Sequence, residues 1–116
     1  MKVEKITPTE NQLHAACVHW LTICCSGVLW HHSPNGGKRH AIGQRDLKTH
    51  GTRAGWPDLQ LLRLDGQQLF IELKRKGGKP TRRQLECHAD LRAFKQRVEV
   101  IDSFDDFQRL VGAWVR

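Results

Sequence analysis

Two acidic residues and a lysine follow one another at a spacing that could support metal chemistry. Asp58 closes the run Gly55-Trp56-Pro57-Asp58, and Glu72-Leu73-Lys74 begins fourteen residues after that aspartate. Carboxylate and carbonyl oxygens suit a hard cation such as Mg²⁺, which can activate a water molecule and stabilise a phosphorane-like dianion. Asp58, Glu72 and the Leu73 carbonyl are therefore candidate metal ligands. Lys74 is a candidate to orient or help deprotonate the water.

The charge balance favours a polyanionic partner. Lysine and arginine number 19 against 12 acidic residues, which gives a formal charge of +7 and a pI near 9.7. A basic run beside the acids could hold phosphates on either side of a reacting one, or could be only a solvated face. It contains Arg75, Lys76, Lys79, Arg82 and Arg83.

Charge alone does not distinguish nucleic acid from an anionic membrane. No apolar run approaches the roughly 20 residues of a membrane-spanning helix, and the first residues lead into no signal-peptide core. Cys17, Cys24, Cys25 and Cys87 lack C-x-x-C spacing, so we expect reduced thiols rather than a disulfide framework or a zinc site. We expect a soluble, intracellular protein.

Whether the two acids can meet depends on the register of a predicted hairpin. We predict strands over 58–64 and 68–74. A two-residue turn would leave Asp58 and Glu72 on opposite faces. A three-residue turn through Asp65-Gly66-Gln67 sets Asp58 against Lys74 and Gln60 against Glu72, and it gathers the leucines on the other face. We prefer the second register, in which Asp58 and Glu72 are diagonal neighbours.

Helices and further strands surround this hairpin in the predicted order helix, strand, helix, hairpin, helix, strand, helix. Thr7-Pro8-Thr9-Glu10 predicts a capped helix from about Pro8 to Cys25, with a strand over 28–32 and a weak helix over 40–50. Thr81 to Gln84 is a second capping box, which opens a helix predicted to turn its apolar side toward the core: Leu85, His88, Ala89, Leu91 and Phe94. A strand covers 98–101. Ser103 caps the last helix, whose apolar stripe is Phe107, Leu110, Val111 and Trp114. The 116 residues form one domain with a mixed α/β fold, whose last strand can return parallel to the Glu72 strand.

Glu10 and Gln84 each have two interpretations. Both take the third helical position of a predicted capping box, which explains them without catalysis. Glu10 also precedes Leu13 and Cys17 at the spacing of a buried stripe, so its carboxylate could point toward the sheet and serve as a metal ligand. Gln84 could equally serve the site.

The glycine-rich segment at Asn35-Gly36-Gly37 is either a simple turn or a phosphate cradle. In the second case its amides would act with Lys38 and Arg39. Trp30 and Trp56 could rim a cleft or stack on a base. The histidines, including His88, have no helical i, i+4 histidine partner, so we interpret them as structural or close to phosphate.

Taken together, these residues resemble the PD-(D/E)XK nuclease superfamily, and within it the VRR-NUC (virus-type replication-repair nuclease) branch. The matching elements cover nearly the whole chain, from Thr7 to about Ile101. They are Glu10, Pro34-Asn35-Gly36-Gly37 with Arg39, Gly55-Trp56-Pro57-Asp58, Glu72-Leu73-Lys74, and Gln84.

The resemblance implies a restriction-endonuclease-like core, a central mixed sheet flanked by helices, and an endonuclease dependent on Mg²⁺ or Mn²⁺ that acts on structured DNA. Compact members of this kind are similar to Holliday junction resolvases, which act as homodimers, in the cytoplasm of a bacterium or of a phage-infected host. The resemblance also implies the catalytic positions, which are Asp58, Glu72, Lys74, Glu10 and Gln84. The alternatives are a flap or nicking nuclease, and a non-catalytic basic DNA-binding protein on the same scaffold.

Overall fold

A four-stranded mixed sheet forms the centre of the protein in the computed structural model, which describes residues 6–33 and 50–116. The strands lie side by side in chain order, the first three antiparallel and the last pair parallel. They are β1 (Val28–His32), β2 (Leu59–Arg63), β3 (Gln68–Leu73) and β4 (Arg97–Ile101). The hairpin and the parallel return of the last strand are both confirmed, as is the mixed α/β class.

Three helices of the described residues flank this sheet: α1 (Glu10–Cys24), α2 (Arg82–Ala93) and α3 (Phe104–Trp114). The predicted caps Thr81 and Ser103 are confirmed. The predicted capping box at the start of α1 is wrong, because the hydroxyl of Thr9 accepts from Gln12 N at 3.1 Å and the Gln12 side chain accepts from Thr9 N at 2.9 Å. Two overlapping boxes compete here, and the later one begins the helix at Glu10 instead of Pro8.

The β2–β3 register differs from the prediction by two residues. Leu59 pairs with Ile71 and Leu61 with Leu69, so Gln60 faces Phe70 rather than Glu72. The turn does contain three residues, but they are 64–66, since Arg63 N donates to Gln67 O at 3.0 Å. The Asp65 carboxylate closes this turn by accepting from Arg63 and from Gln67 N. A shift of two residues leaves every side chain on its predicted face.

One face of the sheet carries the main hydrophobic core. Alternate residues of β2 and β3 pack there against α1 and α3, whose predicted apolar stripe through Phe107, Val111 and Trp114 is buried. The strand residues on this face are Leu59, Leu61, Leu69, Ile71 and Leu73, and all five are fully buried.

Helix α2 covers part of the opposite face. Phe70 and Val98 of the sheet pack there against Cys87 and Leu91, with Trp56 at the edge. The prediction that Leu85 and Phe94 also face this core is wrong, since they are 53% and 79% exposed. The helix ends at Ala93, and Phe94 is its cap, outside the apolar stripe.

Three further predictions concern composition and boundaries. All four cysteines are free, as expected. No helix in the described part of the chain is long and apolar enough to cross a membrane. The predicted phosphate cradle at Asn35, Gly36, Gly37, Lys38 and Arg39 lies outside the described residues, and so does nearly all of the weak helix predicted over 40–50.

Candidate active site

The two acids meet where β2 begins and β3 ends. Continuing the observed register by one pair places Asp58 directly opposite Glu72, rather than on the predicted diagonal. Asp58 Oδ2 accepts a hydrogen bond from Leu73 N at 2.7 Å, which fixes this carboxylate against the end of β3. Glu72 is only 1% exposed, so its carboxylate lies inside the protein on the same face as Asp58. The structure thus brings Asp58, Glu72 and the Leu73 backbone together.

Burial and a neighbouring acid change the protonation of Glu72. Loss of solvent is the largest cause, and the hydrogen bond and charge of Asp58 add to it, raising the pKa of Glu72 from 4.5 to about 9. Nearby Lys74 opposes this pKa shift, while Glu10 adds weakly to it. Two carboxyl groups this close can share one proton, because both cannot ionise without a compensating positive charge.

The donor chemistry of this pair fits a hard divalent cation. Mg²⁺ is commonly held by one or two carboxylates, with its remaining positions left to water and substrate phosphate. Within residues 6–33 and 50–116, no group of three or more His, Cys, Asp or Glu side chains is arranged to hold a metal ion. Among the described residues, Asp58 and Glu72 are therefore the acids that this place brings together.

Two side chains of α2 hold the Glu72 carboxylate from the helix side. Gln84 Nε2 donates to Glu72 Oε2 at 3.4 Å, and His88 Nε2 lies 3.1 Å from Glu72 Oε1. Gln84 also caps its helix, since its Oε1 accepts from Thr81 N at 2.8 Å. The two interpretations of Gln84 are thus compatible, because one amide does both.

His88 is the site residue that the sequence analysis missed. It is fully buried, and burial is the main cause that lowers its pKa, with Arg92 and Lys74 adding to the effect. A neutral imidazole has one N–H, which can donate to an ionised Glu72 through Nε2. Among the described residues, its Nδ1 has no hydrogen-bond partner. The spacing of four residues from Gln84 was the available signal, because i and i+4 side chains share one helix face.

Lys74 lies on the same face and is 9% exposed. Its backbone N donates to Ile101 O at 2.9 Å, which continues the parallel pairing of β3 with β4 by one residue. Lys74 forms no ion pair with any described residue, although its charge acts on both Glu72 and His88. The amine therefore stands near the acid pair without being neutralised by it.

Gly55 presses the segment before Asp58 against the start of α2. Its φ of +82° is a left-handed conformation, and a Cβ there would lie 2.6 Å from Arg83 O and 3.1 Å from the Gln84 Cα. Only glycine satisfies both conditions. This contact holds the strand bearing Asp58 beside the helix bearing Gln84 and His88.

The start of α1 approaches the acids from the other side. Glu10 is the first helical residue and is exposed, so the structure does not bring it into a three-acid cluster with Asp58 and Glu72. One turn later, the His14 ring meets the His32 ring edge to face at 4.5 Å, and His32 Nδ1 lies 3.0 Å from Asp58 O. Burial lowers the pKa of His14, and the charge of His32 lowers it further. Glu10 acts on the site through its charge.

The predicted phosphate contacts after β3 and on α2 are all exposed. Lys76 lies 3.8 Å from Asp102, and Arg82 lies 3.2 Å from Glu86. Arg75, Lys79 and Arg83 form no ion pair with a described residue. These three cations are therefore available to a polyanion beside the acid pair.

The fold and this arrangement define a restriction-endonuclease-like core, in which an acid pair and a lysine stand on one face of a mixed sheet. The model of the VRR-NUC domain matches residues 7–105, and the chain belongs to this family of nuclease domains.

Solved structures agree on the fold. One described as a VRR_NUC domain protein has a TM-score of 0.71 at 21% identity, with 92% of this chain and 88% of the other covered. A second, described as a VRR_NUC domain, has a TM-score of 0.63 at 23% identity, with 92% and 99% covered. None of the curated proteins matches the sequence significantly.

Proposed function

We propose that this protein is a metal-dependent, structure-selective DNA endonuclease that cuts four-way junctions. The observation that carries the metal dependence is the buried acid pair: Glu72 is 1% exposed and lies opposite Asp58, and this burial and proximity raise the pKa of Glu72. A buried carboxyl of this kind is costly to ionise unless a cation compensates it. Mg²⁺, with Mn²⁺ as a substitute, has the charge and the oxygen preference to do so.

The residues divide the work around a phosphodiester. Asp58 and Glu72 would hold the cation, with the Leu73 carbonyl as a further oxygen ligand. When bound, that cation supplies water activation and charge stabilisation at the phosphorus. Gln84 donates to one oxygen of the Glu72 carboxyl group and His88 Nε2 contacts the other, and both contacts would keep this group oriented. Lys74 would orient the attacking water or take its proton, and its ammonium would counter the charge that develops on phosphate.

Exposed cations beside the acids would grip the flanking phosphates. Arg75 and Lys79 belong to the turn after β3, and Arg83 belongs to the first turn of α2. Guanidinium groups match phosphate oxygens in a two-pronged geometry, and lysine acts as a point charge. Lys38 and Arg39, predicted from sequence, would extend this grip.

Junction cutting requires two sites, and the described residues of one copy form a single acid pair of this kind. We therefore propose a homodimer, so that two sites reach opposed strands of one branched DNA. The resemblance of the site residues to those of Holliday junction resolvases supports this choice over a flap nuclease.

The test is cleavage of four-way junction, flap and linear duplex DNA by the purified protein, with Mg²⁺ or with EDTA. Asp58→Asn and Lys74→Met remove one candidate ligand and the candidate proton acceptor. Asp105→Asn is the matched control, because Asp105 is an exposed acid in the first turn of α3, a helix that packs on the other face of the sheet. We expect symmetric nicks across the junction from wild type and from Asp105→Asn, and none from the site variants.

Other outcomes separate the alternatives. Cuts confined to flaps would select a flap nuclease of the same chemistry. DNA binding without cleavage of any substrate in Mg²⁺ or Mn²⁺ would show a non-catalytic DNA-binding protein on a nuclease scaffold. Equal cleavage in EDTA would reject the metal dependence.

A further inference from the structure

A pocket of about 380 Å³ opens on the acid-bearing face of the sheet, beyond the acid pair. Its floor is formed by strand residues and its side by the C-terminal end of α2. The lining includes Trp56, Gln60, Gln68, Phe70, Phe94 and Gln96. We propose that this pocket binds one unpaired nucleobase of the substrate strand, which rests on the proposed action on DNA.

The position of the pocket follows the strands away from the acids. Gln60 is two residues from Asp58 along β2, and Gln68 is four residues from Glu72 along β3. At about 3.3 Å per residue, the pocket therefore begins about 7 Å and ends about 13 Å from the acid pair. A stacked nucleic-acid strand rises about 3.4 Å per nucleotide, so a base two to four nucleotides from the reacting phosphate would reach it.

Aromatic rings supply the stacking surfaces. Phe70 is buried and meets Trp56 edge to face at 5.6 Å, which fixes the indole at the pocket wall. Phe94 is 79% exposed, although it ends a helix that packs on the same face. An unpaired base has a π-face that can cover such a ring, and stacking of this kind tolerates any sequence.

Amide groups supply the polar partners that a base edge needs. Gln60 Nε2 donates to Gln68 Oε1 at 2.5 Å, so these two side chains lie together on the pocket floor. The remaining Gln60 oxygen and Gln68 amide hydrogens have no partner among the described residues. Nucleobase edges present both donors and acceptors. The free carbonyl oxygen and amide hydrogens of this pocket therefore suit a base better than they suit an apolar peptide.

A basic groove joins the pocket and suits the phosphate of the same nucleotide. This groove, of about 280 Å³, shares Gln68 and Gln96 with the pocket and adds Lys95 and Arg97. Lys95 has a φ of 67°, a left-handed conformation that is uncommon without glycine, at the end of α2. It forms no ion pair within the described residues, whereas Arg97 pairs with Glu99. A base pocket adjoining a cationic groove matches the two parts of a nucleotide.

The test measures DNA affinity by fluorescence anisotropy in EDTA, so that no cleavage interferes. The probes are a blunt duplex and the same duplex with a short unpaired arm containing 2-aminopurine. Phe94→Ala removes the exposed ring, Phe94→Trp restores an aromatic face, and Ile23→Ala is the matched control. Ile23 is a 66% exposed apolar residue of α1, on the other side of the sheet.

We expect Phe94→Ala to weaken binding of the armed DNA by roughly 5- to 100-fold, the range that base stacking supports, and the blunt duplex by less than about twofold. Phe94→Trp should bind as wild type does and quench the 2-aminopurine. Three results would contradict base binding in this pocket. They are an equal loss of affinity for both probes, no loss for either, and a changed oligomeric mass with an unchanged preference between the two DNAs.

Parallel cleavage assays in Mg²⁺ separate this inference from the proposed function. If wild type cleaves and Phe94→Ala binds the duplex with the unpaired arm normally, base binding in the pocket is rejected and the nuclease activity is retained. If wild type prefers that duplex through Phe94 but cleaves nothing, the nuclease activity is rejected and base binding is retained. If wild type binds neither probe, both are rejected.

Discussion

Alternate residues of β2 and β3 point to opposite faces of the sheet and enter two different environments. On one face, leucines and Ile71 are fully buried under α1 and α3. On the other, Glu72 and His88 are equally buried, but they carry a raised carboxyl pKa and an unpartnered ring nitrogen. Burial on the first face stabilises the protein, whereas burial on the second costs stability and prepares a site for charge. Neighbouring residues of the same strand therefore serve different ends, one in the hydrophobic core and the next on the face with the acid pair.

Among the substitutions that test this contrast, we expect Glu72→Gln to have the largest effect on cleavage. We expect cleavage to fall on the order of 1000-fold, because a candidate metal ligand loses its charge. The unfolded carboxyl titrates near 4.5 and the folded one near 9, so the folded state holds the extra proton between these values. The stability of the metal-free wild type therefore falls as pH rises through this window, and Glu72→Gln removes that dependence.

Thermal unfolding of the metal-free proteins across this pH range checks the second half of that prediction. At pH 8 we expect Glu72→Gln to melt roughly 3 to 8 °C above wild type, and the difference to shrink toward pH 5. A gap that is constant with pH, or a lower midpoint for the variant at pH 8, would contradict the assignment of the proton to Glu72.

On the apolar face, we expect Leu61→Ala to lower stability and to leave cleavage largely unchanged, which is the reverse of the effects of Glu72→Gln. Leu61 is fully buried, and truncation of such a leucine costs about 2 to 5 kcal/mol of unfolding free energy through lost transfer energy and the cavity left behind. Urea unfolding measures this loss. Leu64→Ala, at a 93% exposed position in the turn, should change it by less than about 0.5 kcal/mol. Below its unfolding transition, Leu61→Ala should keep most of its cleavage activity.

His88 gives an intermediate effect on the polar face. His88→Leu removes a donor to Glu72, and we expect the Mg²⁺ concentration that supports half-maximal cleavage to rise roughly 10- to 100-fold. His88→Gln keeps an amide donor at a similar reach and should recover much of this affinity. If both variants behave alike, His88 serves packing and not the orientation of the carboxylate.

The smallest effect belongs to the exposed rim. Arg75→Ala should weaken DNA binding a few-fold, with the slope of log affinity against log salt reduced by about one, because one phosphate contact is lost. Arg82→Ala is the comparison, since Arg82 already pairs with Glu86. A larger effect from Arg82 than from Arg75 would place the DNA path along α2 instead of the β3 turn.

The sequence correctly predicted which residues of β2 and β3 share a face of the sheet, but it did not predict which residues pair across the two strands. The alternating leucines define faces, but a shift of two residues preserves every face, so the pattern cannot distinguish Asp58 opposite Lys74 from Asp58 opposite Glu72. That choice depends on the Asp65 carboxylate, which closes the turn one residue earlier than expected.

Two helix ends could not be predicted, although the caps Thr81 and Ser103 were. Thr7 and Thr9 each begin a possible capping box, and their local chemistry is nearly identical, so the sequence pattern does not decide between them. The end of α2 is marked by Lys95 in a conformation usually given to glycine, which no sequence rule would expect. His88 looks like an ordinary core position on a helical stripe. Only its placement over Glu72 gives it a role.

The close approach at Gly55 has a mechanical consequence. With room for a hydrogen and no more between this backbone and Arg83, the segment leading to Asp58 and the first turn of α2 cannot slide independently. A displacement of the first turn of α2, which carries Arg82 and Arg83, would therefore also displace the segment that ends at Asp58. Contact of a polyanion with those arginines and the position of the Asp58 carboxylate would be linked in this way.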